Sequence, residues 1–298
     1  MNSCSYWAAG HLTAFFKIAD ESEDILSKGS LGAGFNIQRG VITEVKPSDD
    51  KNHRIYFNSE QQPYDITGIT NYVINQVQEK LDESLSPLDI NHTFEVPIGS
   101  GYGSSGSAAL STVFAINSLL DLKIPELILW QIAHKAEIFN KTGLGDILGL
   151  YSQSKFEMRT KEGSPGVGEV VALDFDEHEY DLFTYSIGPL SKKYLLTDPV
   201  KRHKITEEGE KVIKEFQVDP TFEKFCDLSL TFTKKLNLIP ENLWNIIDSL
   251  PGSIKVSQIM LGESLFFFVP KKIDITKYVK MNLVKEELVA KTINKVKS

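Results

Sequence analysis

Apolar residues at Ala109, Val113, Ile116 and Leu120 recur at helical spacing in the run Ser107–Leu122, which predicts an amphipathic helix. A second helix is expected over Glu126–Phe139. It opens behind Pro125, a residue suited to a first helical turn, and the glycine-bounded loop Asn140–Asp146 stops it. Upstream, His92–Ile98 alternates weakly and reads as a strand ending at Pro97. Past residue 168 the pattern changes. Val170–Asp176 and Tyr180–Gly188 look like strands, Glu207–Phe216, Thr221–Leu236 and Glu241–Leu250 like helices, and Glu263–Pro270 like a late strand. Lys285–Lys297 reads as a terminal amphipathic helix with a solvated basic face. With no internal repeat and no low-complexity linker, the pattern describes an α+β protein of two lobes, residues 1–167 and 168–298.

Composition narrows the classes of function. A chain of 298 residues with 41% hydrophobic residues can build a sizeable core. Its net charge of −8 argues against general affinity for nucleic acid, whose phosphates want clustered Lys and Arg. A local site for a small anion stays open. Cys4 and Cys226 lie far apart without metal-like spacing, and the histidines form no zinc pattern, so both thiols are expected to be reduced. The longest apolar run, Leu265–Pro270, is too short to span a bilayer. These features suggest a cytoplasmic protein without membrane or nucleic-acid partners. A homodimer is compatible with them.

The stretch Pro97–Ala109 carries four glycines and four serines between the expected strand and helix. Glycine there lets something approach the backbone closely. The unpaired first-turn N–H groups and the helix dipole make that point a phosphate site. A Walker A loop is excluded, because no lysine lies between Pro97 and Ser118. Gly101, Gly103 and Gly106 fit G-x-G-x-x-G, but a dinucleotide fold needs a strand after the helix, where a second helix is expected. A lysine-free ATP loop fits better.

Pro97, three residues, then Gly101-Tyr102-Gly103-Ser104-Ser105 resembles the second motif of the GHMP kinases. Leucine is usual in that family where this chain has Tyr102, and Gly106-Ser107 is an added pair before the alanines. Gly10–Ile18, Ser27–Val41, Ala133–Asp146 and Arg159–Val170 resemble, in order, segments of the archaeal pantoate kinases, and Gly188–Leu196 does so weakly. In place of a third glycine-rich motif stands Val256–Phe268, with Gly262 alone from that loop. The resemblance covers about two-thirds of the chain. It implies a two-lobed GHMP-kinase-like fold, with the phosphate loop in the N-terminal lobe and a ferredoxin-like C-terminal lobe. It also implies transfer of phosphate from ATP, with Mg²⁺, to the primary hydroxyl of pantoate, giving 4-phosphopantoate for coenzyme A synthesis. The ATP phosphates would lie on Pro97, Gly99, Ser100, Gly101, Tyr102, Gly103, Ser104, Ser105, Gly106 and Ser107.

Phosphoryl transfer needs a charge clamp and a group to orient the attacking hydroxyl. Glu137 shares a helical stripe with Trp130 and Ala133, where a bare carboxylate is expensive. It is either one half of a rim pair with Lys141 or, as the resemblance implies, a Mg²⁺ ligand together with Ser105. Asp146 is either the N-cap of the short helix that follows or, by the same resemblance, the group that takes or orients the hydroxyl proton. Arg159 could grip a substrate carboxylate through its planar fork, or lie solvated on the surface. The resemblance adds His11, Thr13, Ser30 and Asn36 to the substrate pocket, although His11 could be purely structural. Lys141 could anchor phosphate or substrate. The rival activities are a GHMP kinase for another small alcohol, such as homoserine, mevalonate or a sugar, and a nucleotide-binding regulator without catalysis.

Overall fold

The computed structural model describes residues 3–189 and 198–296. Two long antiparallel strands, β1 (Cys4–Ala19) and β2 (Gly29–Pro47), form the spine. Around them run β3 (Arg54–Phe57), β4 (Glu60–Gln61), α1 (Gly68–Leu81), β5 (Leu88–Phe94), α2 (Ser104–Leu119), α3 (Glu126–Asn140), α4 (Asp146–Tyr151), β6 (Phe156–Lys161) and β7 (Glu169–Leu173). The second half adds β8 (Tyr180–Gly188), α5 (Pro199–Val218), α6 (Phe222–Leu236), α7 (Glu241–Ser249), β9 (Lys255–Gln258), β10 (Glu263–Pro270), β11 (Val284–Glu286) and β12 (Ile293–Val296).

The first sheet runs β12-β1-β2-β5-β3-β4 and splays where β2 changes partner. Val41–Pro47 of β2 pairs with β5, whereas Gly32–Phe35 pairs with β6, which leads to β7. The second sheet, β11-β8-β10-β9, places its strands in chain order 4-1-3-2, the order of a ferredoxin-like sheet.

β1 belongs to two cores. Trp7, Ala8 and Ala9 pack beneath α1, α2 and α3 with Val113, Ile116 and Trp130. Leu12–Ile18 joins an aromatic core with Phe35, Phe156, Phe216, Phe225, Phe266 and Phe268, in which Phe35 and Phe266 meet edge to face at 5.2 Å. His11 sits where the two cores meet. Register shifts at Ala9/Gly10 and Thr13/Phe15 bracket it, and such bulges re-aim side chains beside functional sites.

The helices predicted from Ser107, Glu126, Thr221 and Glu241 are α2, α3, α6 and α7, and the strands predicted at Tyr180 and Glu263 are β8 and β10. The strand predicted at Val170–Asp176 is β7, set slightly earlier. Other expectations shift further. β5 ends at Phe94, three residues before Pro97, which leaves a longer phosphate loop. The helix predicted at Glu207–Phe216 extends back to Pro199, where the Asp198 side chain caps the N–H groups of Val200 and Lys201.

The terminal helix predicted over Lys285–Lys297 is replaced by β11 and β12. β12 completes the open edge of β1, with Ser5 opposite Val296 and Ala8 opposite Ile293. Backbone hydrogen bonds to that edge, with Ile293 and Val296 packed on the helical core, outweigh a helical propensity expressed in water. The boundary expected near residue 168 follows the two sheets only in part, because β7 and β12 both join the first. Most of Gly188–Leu196 lies outside the described residues. No helix among the described residues is long and apolar enough to cross a membrane.

Candidate functional site

The loop between β5 and α2 turns through positive φ at Gly99, Gly101 and Gly103 (75°, 97° and 65°), a backbone shape that side chains rarely adopt. Gly103 is the residue before α2, and the first helical bond visible there runs from Ser107 N to Gly103 O. The N–H groups of Ser104, Ser105 and Gly106 therefore precede the first helical partner and gather at the positive end of the helix.

Beside them Glu137 of α3 is 2% exposed and accepts from Ser105 Oγ at 2.7 Å. It is not a rim residue, and the expectation of a surface pair with Lys141 gives way to this inward contact. Asp146 is the first residue of α4, whose N-cap is Gly145, so its side chain does not cap the helix. Its Oδ1 instead lies 3.1 Å from His11 Nδ1. The two carboxylates converge. A Cβ placed on Gly143 would stand 2.6 Å from Glu137 Oε1 and 2.8 Å from Asp146 Oδ2. A Cβ on Gly106 would meet Glu137 Oε2 at 2.9 Å, so the helix start, the glutamate and the aspartate share one small space.

Behind Asp146 runs a buried charged chain. His11 Nε2 lies 3.0 Å from Glu157 Oε1 on β6, and Arg159 Nη1 donates to the same oxygen. Arg159 Nη2 approaches Thr13 Oγ1 at 3.5 Å. Burial alone would strip the charge from His11. The hydrogen bonds and negative charges of Asp146 and Glu157 overcome it and hold the imidazole pKa above its ordinary value of 6.5. Each ring nitrogen faces a carboxylate oxygen, and Arg159 Nη1 also lies 3.3 Å from Nε2.

Two spaces flank this centre. A narrow cleft of about 40 Å³ is lined by Thr13, Ser30, Gly143, Asp146, Met260 and Leu261, with the last two contributed by the β9–β10 turn. A wider pocket of about 380 Å³ has an apolar end at Phe57, Ile66, Ile69 and Phe94 and a polar end at Gly99, Ser104, Ser105 and Lys141. The phosphate loop lies along its polar side.

Of the expected substrate residues, Thr13 and Ser30 line the cleft. His11 stands one layer back and holds Asp146. Arg159 is fully buried, which overturns the reading as a solvated surface residue. Its Nε would be 2.7 Å from a Cβ on Gly145, so it lies just behind the cleft wall. Asn36 is buried and donates to Ser154 O at 2.8 Å, a structural contact away from the cleft. Lys141 faces the wide pocket. Within the loop, Ser107 Oγ donates to Ala9 O at 2.6 Å and is taken up by β1, and Tyr102 points into the protein.

Two buried groups were not singled out from the sequence. Glu157 stands two positions before Arg159 and shares its face of β6, an acid-base pair at i, i+2 that alternates with Phe156 and Met158. That spacing was the available signal. His134 of α3 is held neutral by burial, which pulls its pKa down to about 4. Its Nε2 has no hydrogen-bond partner among the described residues.

The family model of the GHMP kinases N terminal domain matches residues 69–153, which include the loop, Glu137 and Asp146. The pantoate kinase of Methanocaldococcus jannaschii is 32% identical over 266 residues, covering 89% of this chain and 93% of the relative. The pantoate kinase of Thermococcus kodakarensis is 33% identical, covering 87% of this chain and 85% of the relative. A solved structure described as a phosphotransferase related to the CoA biosynthesis pathway superposes with a TM-score of 0.84 at 27% identity, over 99% of each chain.

Proposed function

Because the chain belongs to the pantoate kinases, a GHMP kinase family, we propose that it transfers the γ-phosphoryl group of ATP to the primary hydroxyl of pantoate, giving 4-phosphopantoate and ADP. The observation that carries this reading is the convergence of Glu137 and Asp146 on Gly143, beside the open N–H groups of α2.

The wide pocket accepts the nucleotide, with the base among Phe57, Ile69 and Phe94 and the phosphates against Ser104, Ser105 and Gly106. Mg²⁺ fits the donor set, since Ser105 Oγ and Glu137 are hard oxygens and this ion takes one or two carboxylates together with phosphate oxygens. The described residues contain no cluster of three His, Cys, Asp or Glu, and a site completed by phosphates needs none. Bound there, the ion would neutralise charge on the β- and γ-phosphates.

The alcohol enters beside Thr13 and Ser30. At about 40 Å³ the cleft is far below the roughly 300 Å³ at which ligand pockets begin, so entry widens the seam between these residues and Met260–Leu261. The hydroxyl oxygen attacks the γ-phosphorus, the bond to the β–γ bridging oxygen breaks, and Asp146 takes the hydroxyl proton. His11, whose Nδ1 lies 3.1 Å from Asp146 Oδ1, fixes the Asp146 carboxylate in place. In a loose transition state, orientation and charge matter more than base strength. Arg159, behind Ser30 and Gly145, places positive charge next to the end of the cleft that would hold the pantoate carboxylate.

A coupled ADP-release assay with ATP and a panel of alcohols tests the assignment. Pantoate is expected to drive release well above the ATP-only background, with homoserine, mevalonate and simple sugars at that background. Release driven by another alcohol would reassign the substrate. Release with none, despite measurable ATP affinity, would mark a nucleotide-binding protein without this activity.

A further inference from the structure

The turn between β9 and β10 touches both spaces of the site. Met260 and Leu261 line the narrow cleft, and Met260 N donates to Thr13 O at 3.0 Å. The next residue, Gly262, lies against the phosphate loop. A Cβ there would stand 1.9 Å from Ser100 O and 2.9 Å from Gly101 N. Across the same contact, a Cβ on Gly101 would meet Ile259 O at 2.9 Å. Backbone thus meets backbone, with no room for a side chain on either partner. Ser264 Oγ of β10 donates to Ser100 O at 2.8 Å, and Ser186 Oγ of β8 lies 2.8 Å from the same hydroxyl. Gln258 Nε2 closes the turn by donating to Gly262 O at 2.9 Å. Ile259, Met260, Leu261 and Ser264 are all buried. One buried turn is therefore hydrogen-bonded to the cleft wall on one side and tied to the phosphate loop on the other.

The two spaces are in unequal states. The loop already has its positive-φ turns and the open amides at the start of α2, which is the cradle a phosphate needs. The cleft is too small for the alcohol and opens when Met260 and Leu261 move away from Thr13 and Ser30. Gly262 cannot follow that movement without displacing Ser100, against which it is packed and to which Ser264 is bonded.

We propose that this turn couples the two substrates antagonistically: opening it for the alcohol distorts the phosphate loop, so alcohol and nucleotide each weaken the other's binding, with Ser264 as the positioning residue that transmits the effect. The proposal rests on the kinase reading, with the nucleotide on the loop and the alcohol in the cleft. The alcohol binds the open turn, and the nucleotide favours the closed one. Ligands that prefer opposite states of one element oppose each other, by the same factor in both directions.

Titration calorimetry tests the coupling. The Kd of a non-hydrolysable ATP analogue with Mg²⁺ is measured alone and with saturating pantoate, and the Kd of pantoate alone and with the saturating analogue. Each ligand is expected to raise the Kd of the other by about fivefold. Ser264→Ala removes the hydroxyl that ties the turn to Ser100 and should bring that factor below about twofold, whereas Ser264→Thr keeps the hydroxyl and should keep the factor. Met260→Ala leaves the tie to Ser100 in place and trims the cleft wall. It should tighten pantoate binding and also shrink the factor, because entry then needs less movement. A factor of one in the wild-type protein, or tighter binding of one ligand in the presence of the other, would overturn the coupling. So would Ser264→Ala with a lowered Tm and the full factor, since that is a structural role alone, or Met260→Ala with an unchanged factor. The same titrations separate the two levels. If both ligands bind and ignore each other, the coupling alone fails. If pantoate or the analogue does not bind at all, the kinase reading fails and the coupling falls with it.

Discussion

Asp146→Asn is expected to turn over about a thousandfold more slowly than the wild-type enzyme, while its affinity for ATP stays within about twofold. The substitution keeps the size of the side chain and one oxygen for His11, so the shape of the cleft survives. What disappears, on the proposed mechanism, is the group that takes the hydroxyl proton and the negative charge that aligns it. Single-turnover kinetics with saturating ATP and pantoate, beside an ATP titration, separate the two effects. Near-normal turnover would remove Asp146 from the reaction. A second readout comes from His11. Its pKa in the folded protein is raised above 6.5, so the stability it contributes is fully present below pH 6.5 and is lost as pH rises through the folded value. Asp146→Asn leaves only Glu157 to hold the imidazolium charge, so that loss should begin at lower pH in the variant. Denaturant midpoints measured from about pH 6 to about pH 9 would show the shift.

Glu137→Gln is expected to lower kcat/KM for ATP on the order of a hundredfold and to raise the Mg²⁺ concentration needed for half-maximal rate. A glutamine oxygen still accepts from Ser105 Oγ, so α3 and the loop keep their contact. The negative charge is lost, and with it the proposed affinity for a divalent cation between protein and phosphates. Mg²⁺ titrations at fixed ATP read this directly. An unchanged half-saturation would mean that Glu137 serves only to hold Ser105.

Much of this arrangement is legible in the chain because it is local. α2 and α3 show regular apolar spacing, and Ser105, Glu137 and Asp146 belong to motifs within or next to those helices. β1 is different. It is buried along nearly its whole length on both faces, so it carries no alternation to reveal a strand of 16 residues. The C-terminal segment misleads for the opposite reason. Val289, Ile293 and Val296 repeat at three- and four-residue intervals, as a helix would, yet the open edge of β1 recruits the segment as a strand. The buried chain behind Asp146 joins residues separated by 135 to 148 positions, which no local pattern can report. Arg159 shows the consequence. Its sequence neighbours look like a surface hairpin, whereas its burial comes from His11, Glu157 and Thr13.

The most direct measurement is a crystal structure with a non-hydrolysable ATP analogue and Mg²⁺. The phosphates should rest on the amides of Ser104, Ser105 and Gly106, with the base between Ile69 and Phe94 and the terminal phosphate facing Asp146. A nucleotide lodged elsewhere, with the start of α2 bare, would contradict the account.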